Sequence, residues 1–329
     1  MSIHHRGRMQ EVQCVAQDTD LSRTVAVVEV NEPSCPEAGV VVAVRARPIN
    51  PADLLLLTGR HVYTPQLPSP VGIEGAGVVV EAGPASRLSV GDHVAIPAGG
   101  TWRERMALAD ADVLPVDRRL DLEQASMLSV NPFTAAGLLE GLASNACVVV
   151  NAPTSAIARL ILSMCRSRGI SAIAVGRDAG AEASALSHGA HAFVVDGPDL
   201  GARVRRVAPG PVVRALDAVA GDASARLFDA VSDGGELVVY GLLSDDTVRL
   251  PAAGVVFRDV TVRGYSRLRC LRALSSERRA ELTAELVGLV ERGALSTPVE
   301  ARYSLEDVTA ALAHHARPGR TGKILLVSA

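Results

Sequence analysis

The residues from Cys147 to Arg177 have the types and spacing of a phosphate-binding turn. An apolar run (Cys147 to Val150) precedes a short turn (Asn151 to Ser155), and a segment with apolar residues every three or four positions follows. Gly169 closes that segment, and a second apolar run extends from Ala172 to Val175. This order predicts a strand, a turn, a helix and a strand, in which the helix N-terminus can hold the pyrophosphate of a dinucleotide.

The predicted turn contains no glycine. Dinucleotide-binding turns use glycines for a tight bend and for close approach of the backbone to phosphate, whereas this turn has Ala152, Pro153, Ser155, Ala156 and Ala158. An alanine adds only one methyl group, and the Ser155 hydroxyl can donate a hydrogen bond to a phosphate oxygen. The turn alone is a weak motif, so its interpretation depends on the surrounding chain.

The second predicted strand ends in Gly176-Arg177-Asp178. A carboxylate at this place favours NAD through the ribose hydroxyls, whereas a guanidinium suits the 2'-phosphate of NADP. Arg177 therefore predicts NADPH as the preferred cofactor, and Asp178 beside it leaves NADH as the alternative. The other interpretation of Arg177 is an exposed arginine that opens a loop.

The elements around this turn divide the chain into two parts. Residues 9–120 have the pattern of short strands and turns, and alternating strands and helices follow from Leu122. The alternation supplies five parallel strands, with Thr261 to Tyr265 as a sixth, which predicts an α/β doubly wound parallel sheet. The predicted domains are 1–121 with 269–329, and 122–268. Ser304 is predicted to cap the last helix.

The composition excludes several classes of protein. The hydrophobic fraction is 48% but aromatic residues are only 3%, which indicates cores of aliphatic side chains. A net charge of -3 gives no reason to expect nucleic acid or a membrane as partner. The five cysteines are scattered, which indicates neither disulfides nor a zinc module and fits a cytoplasmic protein. The adjacent His4 and His5 are interpreted as part of a solvated terminus rather than as metal ligands.

Several short motifs together resemble a known superfamily. They are Asn50-Pro-Ala-Asp53, the segment 72–79 (GIEGAGVV), the segment 90–94 (VGDHV), Asn131-Pro-Phe-Thr134, Gly189-Ala190 and the segment 322–326 (GKILL). In this order they resemble the medium-chain dehydrogenase/reductase superfamily, and most closely its zinc-free branch of quinone oxidoreductases and 2-enoyl thioester reductases. The resemblance implies a mostly-β GroES-like catalytic domain and a Rossmann cofactor domain.

The resemblance also bears on metal binding. Zinc-dependent members carry a histidine just before the E-G-x-G run, and Ile73 occupies that place here, while no cysteine lies near Asn50. An aliphatic side chain donates no lone pair, so we expect no catalytic zinc. Without a Lewis acid, the implied chemistry is hydride addition to an activated C=C bond or to a quinone, with the nicotinamide cofactor supplying the hydride.

In addition to Gly176 and Arg177 at the end of the second strand, the resemblance assigns these cofactor-lining residues: Asn131, Thr134, Ser155, Ala156, Ile157, Tyr240, Gly241 and Lys323. The alternative for Lys323 is a solvated residue ahead of an edge strand.

The catalytic position departs from the family pattern. Enoyl thioester reductases carry a tyrosine two residues after a glycine, where it supports proton delivery to the substrate carbon. In the segment 59–63 (GRHVY), His61 occupies that position and Tyr63 lies two residues later. Histidine donates protons near neutral pH, so His61, Tyr63 and Asn50 form the predicted catalytic set. The alternative is that His61 and Tyr63 are ordinary loop residues at the rim of a cleft.

A second departure lies between Arg263 and Arg272. Relatives place tryptophans in this region, whereas this chain is dense in arginine. Tyr265, Arg267 and Arg269 are the candidate substrate-binding residues, with an arginine binding a carboxylate or a phosphate of the substrate. The alternative is a solvated basic helix start.

These observations predict a zinc-independent, NADPH-dependent reductase of an activated C=C bond, in an enoyl thioester or a related enone. The alternatives are a quinone oxidoreductase, or a non-catalytic protein that keeps the dinucleotide fold. The substrate is expected to be a small molecule or a thioester-linked group. The apolar segment from Val260 to Tyr265, if it lies at the edge of the sheet, predicts a homodimer.

Overall fold

The computed structural model describes residues 7–328, so that His4 and His5 lie outside the described part of the chain. The described residues up to Val130 and from Ala284 onwards form one compact unit, and Asn131–Thr283 form a second. Both boundaries differ from the predicted ones: the first lies nine residues later, at 130/131, and the second lies at 283/284 instead of 268/269.

The strands, in chain order, are β1 (Arg8–Cys14), β2 (Val25–Asn31), β3 (Gly39–Pro48), β4 (Ser69–Pro70), β5 (Gly75–Ala82), β6 (His93–Ile96), β7 (Arg105–Ala109), β8 (Leu114–Val116), β9 (Cys147–Asn151), β10 (Ser171–Gly176), β11 (Ala192–Val195), β12 (Val212–Asp217), β13 (Glu236–Val239), β14 (Thr261–Gly264), β15 (Val299–Tyr303) and β16 (Lys323–Val327).

The α-helices are α1 (Pro51–Leu57), α2 (Leu122–Ser126), α3 (Asn131–Leu138), α4 (Ala156–Ser167), α5 (Glu182–Ser187), α6 (Leu200–Val207), α7 (Asp222–Ala230), α8 (Ala252–Phe257), α9 (Arg267–Ala273), α10 (Ser276–Glu291) and α11 (Val308–Ala316).

The first unit is built mainly from two β-sheets. One has the strand order β15-β16-β3-β5-β6-β8, with β7 paired to β3, and the other has the order β2-β1-β4. Most neighbouring strands are antiparallel, and β3 is almost continuously buried because it lies at the centre of the larger sheet. Strand β16 lies between β15 and β3, so the alternative of an edge strand at Lys323 is wrong.

The second unit contains a parallel sheet with the order β11-β10-β9-β12-β13-β14. The chain enters at β9, proceeds outward through β10 and β11, and then returns to continue on the other side with β12. The core of this unit is aliphatic, with residues such as Val149, Ile173 and Leu237 fully buried. The predicted fold class, a mostly-β GroES-like domain with a doubly wound Rossmann domain, is confirmed. Ligands bind at the switch point of such a sheet, here between the carboxyl ends of β9 and β12.

One local prediction needs correction. Helix α11 begins at Val308 instead of directly after Ser304, whose hydroxyl donates to the Asp307 carboxylate (2.9 Å). Asn131 is the first residue of α3. Within residues 7–328, none of the helices has the length and apolar character needed to cross a bilayer.

Candidate active site

The switch point of the parallel sheet is closed by a pair of buried polar side chains. Asn151 is the last residue of β9 and Asp217 the last of β12. The Asn151 amide donates to Asp217 Oδ1 (2.6 Å), and Asn151 Oδ1 accepts from the Ala218 backbone N–H (2.8 Å). This reciprocal pairing fixes the separation of the two strand ends where a ligand of this fold binds.

Asp217 is held by further donors on its own side of the switch point. Its Oδ1 also accepts the backbone N–H groups of Val219 (2.8 Å) and Ala220 (3.1 Å), and its Oδ2 accepts the Ser224 hydroxyl (2.5 Å). With its oxygens satisfied by short bonds, this fully buried carboxylate is a rigid part of the scaffold. Neither Asn151 nor Asp217 was among the predicted site residues, although each is a polar residue that ends an apolar strand.

The N-terminus of α4 offers hydrogen-bond donors beside this switch point. Ser155 caps the helix, and its hydroxyl oxygen accepts the Ala158 backbone N–H (3.2 Å). The backbone N–H groups of Ala156 and Ile157 form no hydrogen bond with any residue from 7 to 328. Two adjacent donors at the positive end of a twelve-residue helix are a suitable site for a pyrophosphate.

The turn before α4 bends without glycine because Ala152 takes the conformation that a glycine would supply. Its φ is 50°, in the left-handed region that side chains with a Cβ rarely adopt. The turn thus keeps the tight bend that glycine usually provides in dinucleotide-binding turns. The absence of glycine introduces some backbone strain at Ala152 but does not change the course of the turn.

Gly176 is the last residue of β10, and Arg177 follows it directly. A Cβ on Gly176 would lie 2.6 Å from the ring of Phe193 on β11, so glycine is required for space. Arg177 is exposed and has no ion-pair partner within the described part of the chain. Its guanidinium is therefore available to an anionic group of a ligand.

Tyr240 and Gly241 follow β13 on the other side of the switch point. The Tyr240 hydroxyl is buried without a hydrogen-bond partner among the described residues, and burial raises its pKa. A Cβ on Gly241 would lie 2.7 Å from the carbonyl oxygen of Ala218, so the two chain segments approach closely there. An unsatisfied buried hydroxyl and two unpaired helix N–H groups fit a bound dinucleotide, which would satisfy all three.

The remaining predicted residues of the second unit lie on α3 and near α9. Asn131 and Thr134 are buried in the first turn of α3. Tyr265 packs against Gly137 of α3, where a Cβ on the glycine would lie 2.1 Å from the Tyr265 hydroxyl oxygen. Arg267 begins α9, and Arg269 is exposed on it.

In the first unit, the predicted residues Asn50 and Lys323 belong to one buried polar cluster. The Lys323 ammonium donates to Asn50 Oδ1 and to the carbonyl of Ile49 (3.3 Å), and the Asn50 amide donates to Glu74 Oε1 (3.0 Å). The other Glu74 oxygen accepts the Ser129 hydroxyl (3.1 Å) and the Val130 N–H (2.9 Å). Within this unit, Lys323 is thus a buried lysine that orients Asn50, and it is not solvated.

Asp53 is a second carboxylate in contact with this cluster. Its Oδ2 accepts the backbone N–H of Asn50 (2.8 Å) at the start of α1, and the side chain is almost completely buried. Burial raises the pKa of Asp53 to about 7, although the Asn50 N–H and the Lys323 charge act in the opposite direction. Burial also lowers the pKa of the Lys323 ammonium. Asn50 and Lys323 were among the predicted site residues, but Glu74 and Asp53 were not.

Asp53 gives the protein a pH-dependent stability. In the folded protein Asp53 keeps its proton up to pH about 7, whereas in the unfolded chain its carboxyl group has a pKa of about 3.9. Between these two pH values the folded state therefore binds more protons than the unfolded state. Stability must therefore fall as the pH rises through this window. We therefore compare D53N, which cannot ionise at this position, with wild type. The difference in free energy of unfolding, D53N minus wild type, should increase by at most about 4 kcal/mol from pH about 4 to pH about 8. Urea titrations at the two pH values measure it, and a pH-independent difference would contradict it.

His61 and Tyr63 lie in the loop after α1. His61 Nδ1 accepts the backbone N–H of Tyr63 (3.0 Å), so in the neutral ring the proton is on Nε2. Tyr63 is 61% exposed. This bond fixes the orientation of the imidazole and leaves Nε2 as its free edge, whereas the tyrosine ring extends into solvent.

The residues that the structure describes contain no group of three or more His, Cys, Asp or Glu side chains arranged to hold a metal ion. Ile73 precedes Glu74, whose carboxylate is committed to the cluster with Asn50 and Ser129. That the protein has no catalytic zinc stays a prediction, which rests on the aliphatic Ile73 and on the lack of a cysteine near Asn50.

Comparisons with known proteins assign the chain to a family. Residues 36–118 match the family model for the alcohol dehydrogenase GroES-like domain, and residues 188–326 match that for zinc-binding dehydrogenases. The mitochondrial enoyl-[acyl-carrier-protein] reductase of Caenorhabditis elegans is 33% identical over 311 residues, which cover 88% of this chain and 86% of the relative.

Solved structures show the same fold. A Bacillus thuringiensis protein assigned as an NADPH:quinone reductase superposes with a TM-score of 0.87 at 24% identity, covering 98% of this chain and 100% of the other. The Etr1p complex with NADP and crotonyl-CoA superposes with a TM-score of 0.86 at 20% identity, covering 98% and 100%. The chain therefore belongs to the medium-chain dehydrogenase/reductase superfamily of oxidoreductases, in the zinc-free branch of quinone reductases and 2-enoyl thioester reductases.

Proposed function

We propose that this protein is a zinc-independent, NADPH-dependent reductase of an activated C=C bond in an enoyl thioester or a related enone. The observation that carries the proposal is the pair of unsatisfied N–H donors at Ala156 and Ile157, beside the fixed strand ends of the switch point. The enoyl reductase name of the 33% identical relative supports the choice of substrate.

The residues of the chain have distinct proposed roles. A bound nicotinamide cofactor supplies the hydride. The N–H groups of Ala156 and Ile157 bind its pyrophosphate, and the Tyr240 hydroxyl donates to it. His61 delivers the proton that completes the reduction, and Lys323 and Glu74 orient the Asn50 side chain through the buried cluster. Tyr265 and Arg267 or Arg269 are proposed to contact the substrate.

Arg177 is proposed to select NADPH over NADH through the 2'-phosphate. Because the guanidinium has no partner within residues 7–328, its removal leaves no buried carboxylate unpaired. We expect R177A to weaken NADPH binding about tenfold to thirtyfold and to leave NADH binding unchanged. Fluorescence titration of both cofactors measures this, with R206A on α6 as an exposed-arginine control. Equal weakening of both cofactors would contradict the assignment to the 2'-phosphate.

The reaction is tested by consumption of NADPH. The purified protein is assayed with a crotonyl thioester, an enone, a quinone and an aldehyde, and the proposal expects turnover with the thioester or the enone. Turnover of quinones alone would replace it by the quinone oxidoreductase alternative. Absence of binding to both NADPH and NADH would leave the non-catalytic alternative.

We further propose a homodimer that forms through β14. This strand lies at an edge of the parallel sheet, and apolar side chains are exposed on it and on α8, namely Val262, Val256 and Phe257, the last 83% exposed. A two-fold mate would pair the edge and cover these side chains. Sedimentation equilibrium tests the assembly. The cytoplasmic location stays a prediction, since the C. elegans relative is named as mitochondrial.

A further inference from the structure

Asp217 places a negative charge in the interior of the second unit. Its side chain is fully buried, and no lysine, arginine or histidine among residues 7–328 forms an ion pair with it. Its hydrogen-bond donors, which are the Asn151 amide, the Ser224 hydroxyl and two backbone N–H groups, are all uncharged. Four converging donors stabilise the ionised form of a carboxyl group. The switch point therefore carries a buried negative charge that no cation of the described residues neutralises.

Other carboxylates of the second unit that are partly buried are paired with arginine. Glu236 contacts Arg214 (2.5 Å), and Asp196 contacts Arg226 (2.6 Å). Such pairing is the usual arrangement, because the transfer of an isolated charge from water to a protein interior is unfavourable. The Asp217 carboxylate departs from this arrangement, although it is buried more completely than either of the other two.

The hydrogen bonds of Asp217 do not require its charge. An asparagine at this position could accept the Asn151 amide and the two backbone N–H groups with its carbonyl oxygen. Its own amide could donate to the Ser224 hydroxyl oxygen, which now donates to the carboxylate. The same four hydrogen bonds would thus form without the unfavourable burial of a charge. The scaffold alone does not explain why this residue is an aspartate.

Asp217 lies on the side of the switch point that suits the nicotinamide. Each half of a doubly wound sheet binds one mononucleotide of the cofactor. Strands β9 and β10 lead to the proposed pyrophosphate donors and to Arg177, the proposed ligand of the 2'-phosphate, so this half takes the adenosine part. The other half begins with β12, which Asp217 ends. The charge also acts on Tyr240 at the end of β13, since burial raises the pKa of this hydroxyl and the Asp217 charge raises it further.

We propose that the buried charge of Asp217 stabilises the oxidised form of the bound nicotinamide cofactor. This inference rests on the proposed function, and it adds the residue that favours release of the hydride. Transfer of a hydride, which is one proton with two electrons, to a carbon of the activated C=C bond takes the nicotinamide ring from neutral to a charge of +1. A proton then completes the reduction at the other carbon. A fixed negative charge attracts the cationic ring but not the neutral one, so it also stabilises the transition state in which the positive charge develops.

The test measures the binding of the two redox forms separately. D217N removes the charge and can keep all four hydrogen bonds. We expect the Kd of NADP+ to rise about tenfold in D217N and the Kd of NADPH to stay within about twofold of wild type. A tenfold change in the ratio of the two Kd values raises the potential of the bound two-electron couple by about 30 mV. Isothermal titration calorimetry gives both Kd values. NAD+ and NADH differ by the same ring charge, so the pair that wild type binds more tightly is used.

S224A is the matched control for D217N. It keeps the Asp217 charge and removes one of the four hydrogen bonds, so the ratio of the two Kd values should stay within about twofold of wild type. Equal weakening of the oxidised and reduced cofactor in D217N would overturn the inference, because the two forms share every feature except the nicotinamide ring. The same change of ratio in S224A as in D217N would overturn it as well, since the network and not the charge would then be responsible.

A pair of variants at Val219 applies if D217N does not fold. Val219 is half-buried two residues after Asp217, and its side chain makes none of the four hydrogen bonds. V219K should raise the Kd of NADP+ relative to that of NADPH, and V219E should lower it. Equal ratios in the two variants would overturn the inference, because the nicotinamide would then lie out of range of charge at this loop.

The same titrations separate this inference from the proposed function. If wild type binds neither form of NADP nor of NAD, the proposed function fails and the inference fails with it. If wild type binds the cofactor and the ratio of Kd values is unchanged in D217N, only the inference fails. If the ratio changes as expected but wild type reduces neither the thioester nor the enone, the inference is supported and the proposed substrate is wrong.

Discussion

A156P should lose at least a hundredfold in NADPH affinity without losing its fold. Ala156 is the first residue of α4, and its backbone N–H is one of the two donors that the described residues leave unpaired. Proline at this position removes that donor and places its ring carbon where a phosphate oxygen would approach. A hundredfold change corresponds to about 2.7 kcal/mol, which is of the size expected for a lost hydrogen bond to a charged group plus a steric clash.

The helix itself tolerates this substitution. The first N–H of an α-helix has no partner within the helix, and proline is common at this position. Ser155, the residue before it, has φ -69° and ψ 150°, in the extended region that a residue before proline prefers. The melting temperature of A156P should therefore remain within a few degrees of wild type.

A156G is the matched control for A156P. Glycine keeps the N–H and removes only the methyl group, so NADPH affinity should be retained or improved. If A156P binds NADPH as tightly as wild type while remaining folded, the cofactor does not rest on the start of α4. If A156P and A156G weaken binding equally, the effect comes from the helix rather than from the donor.

The sheet of the second unit could be predicted because its strands are buried on both faces. Such strands appear as continuous apolar runs, as in Cys147 to Val150, and the turn residues and helices between them follow known rules. The boundary at 121/122 was misplaced because a helical pattern does not tell which sheet the helix packs on. Helix α2 (Leu122–Ser126) packs against β3, β5 and β6 and belongs to the first unit.

The polar clusters could not be predicted because their members are distant in sequence. Asn50, Glu74 and Lys323 lie in three separate motifs, and only the fold brings them together. The pairing of Asn151 with Asp217 depends likewise on β9 and β12 being neighbours, which follows from the return of the chain to the centre of the sheet. A polar residue at the end of each of two apolar strands was the available signal.

H61A should lower kcat about a hundredfold and change KM little. The Nδ1 atom of His61 accepts the backbone N–H of Tyr63 while the ring is neutral, and this orientation leaves Nε2 as the outward edge. To act as the acid the ring must be the imidazolium, which releases the Tyr63 N–H, donates the Nε2 proton to the substrate carbon and keeps its other proton on Nδ1. General acid catalysis by a positioned side chain contributes about 10²- to 10⁴-fold, whereas a residue that merely lines the loop would affect binding. Steady-state kinetics with the crotonyl thioester and NADPH measure the division between kcat and KM.

Two further variants decide how His61 acts. The amide of H61Q places a hydrogen-bond donor near the position of Nε2 but cannot transfer a proton, so H61Q should be as impaired as H61A if proton delivery is the role. Recovery of wild-type kcat in H61Q would reduce the role of His61 to hydrogen bonding. Y63F keeps the backbone N–H that orients the imidazole and removes only a hydroxyl that is exposed, so we expect its kcat to match wild type. A large loss of kcat in Y63F with an unchanged H61A would transfer the proton donor to Tyr63, the family's residue type displaced by two positions.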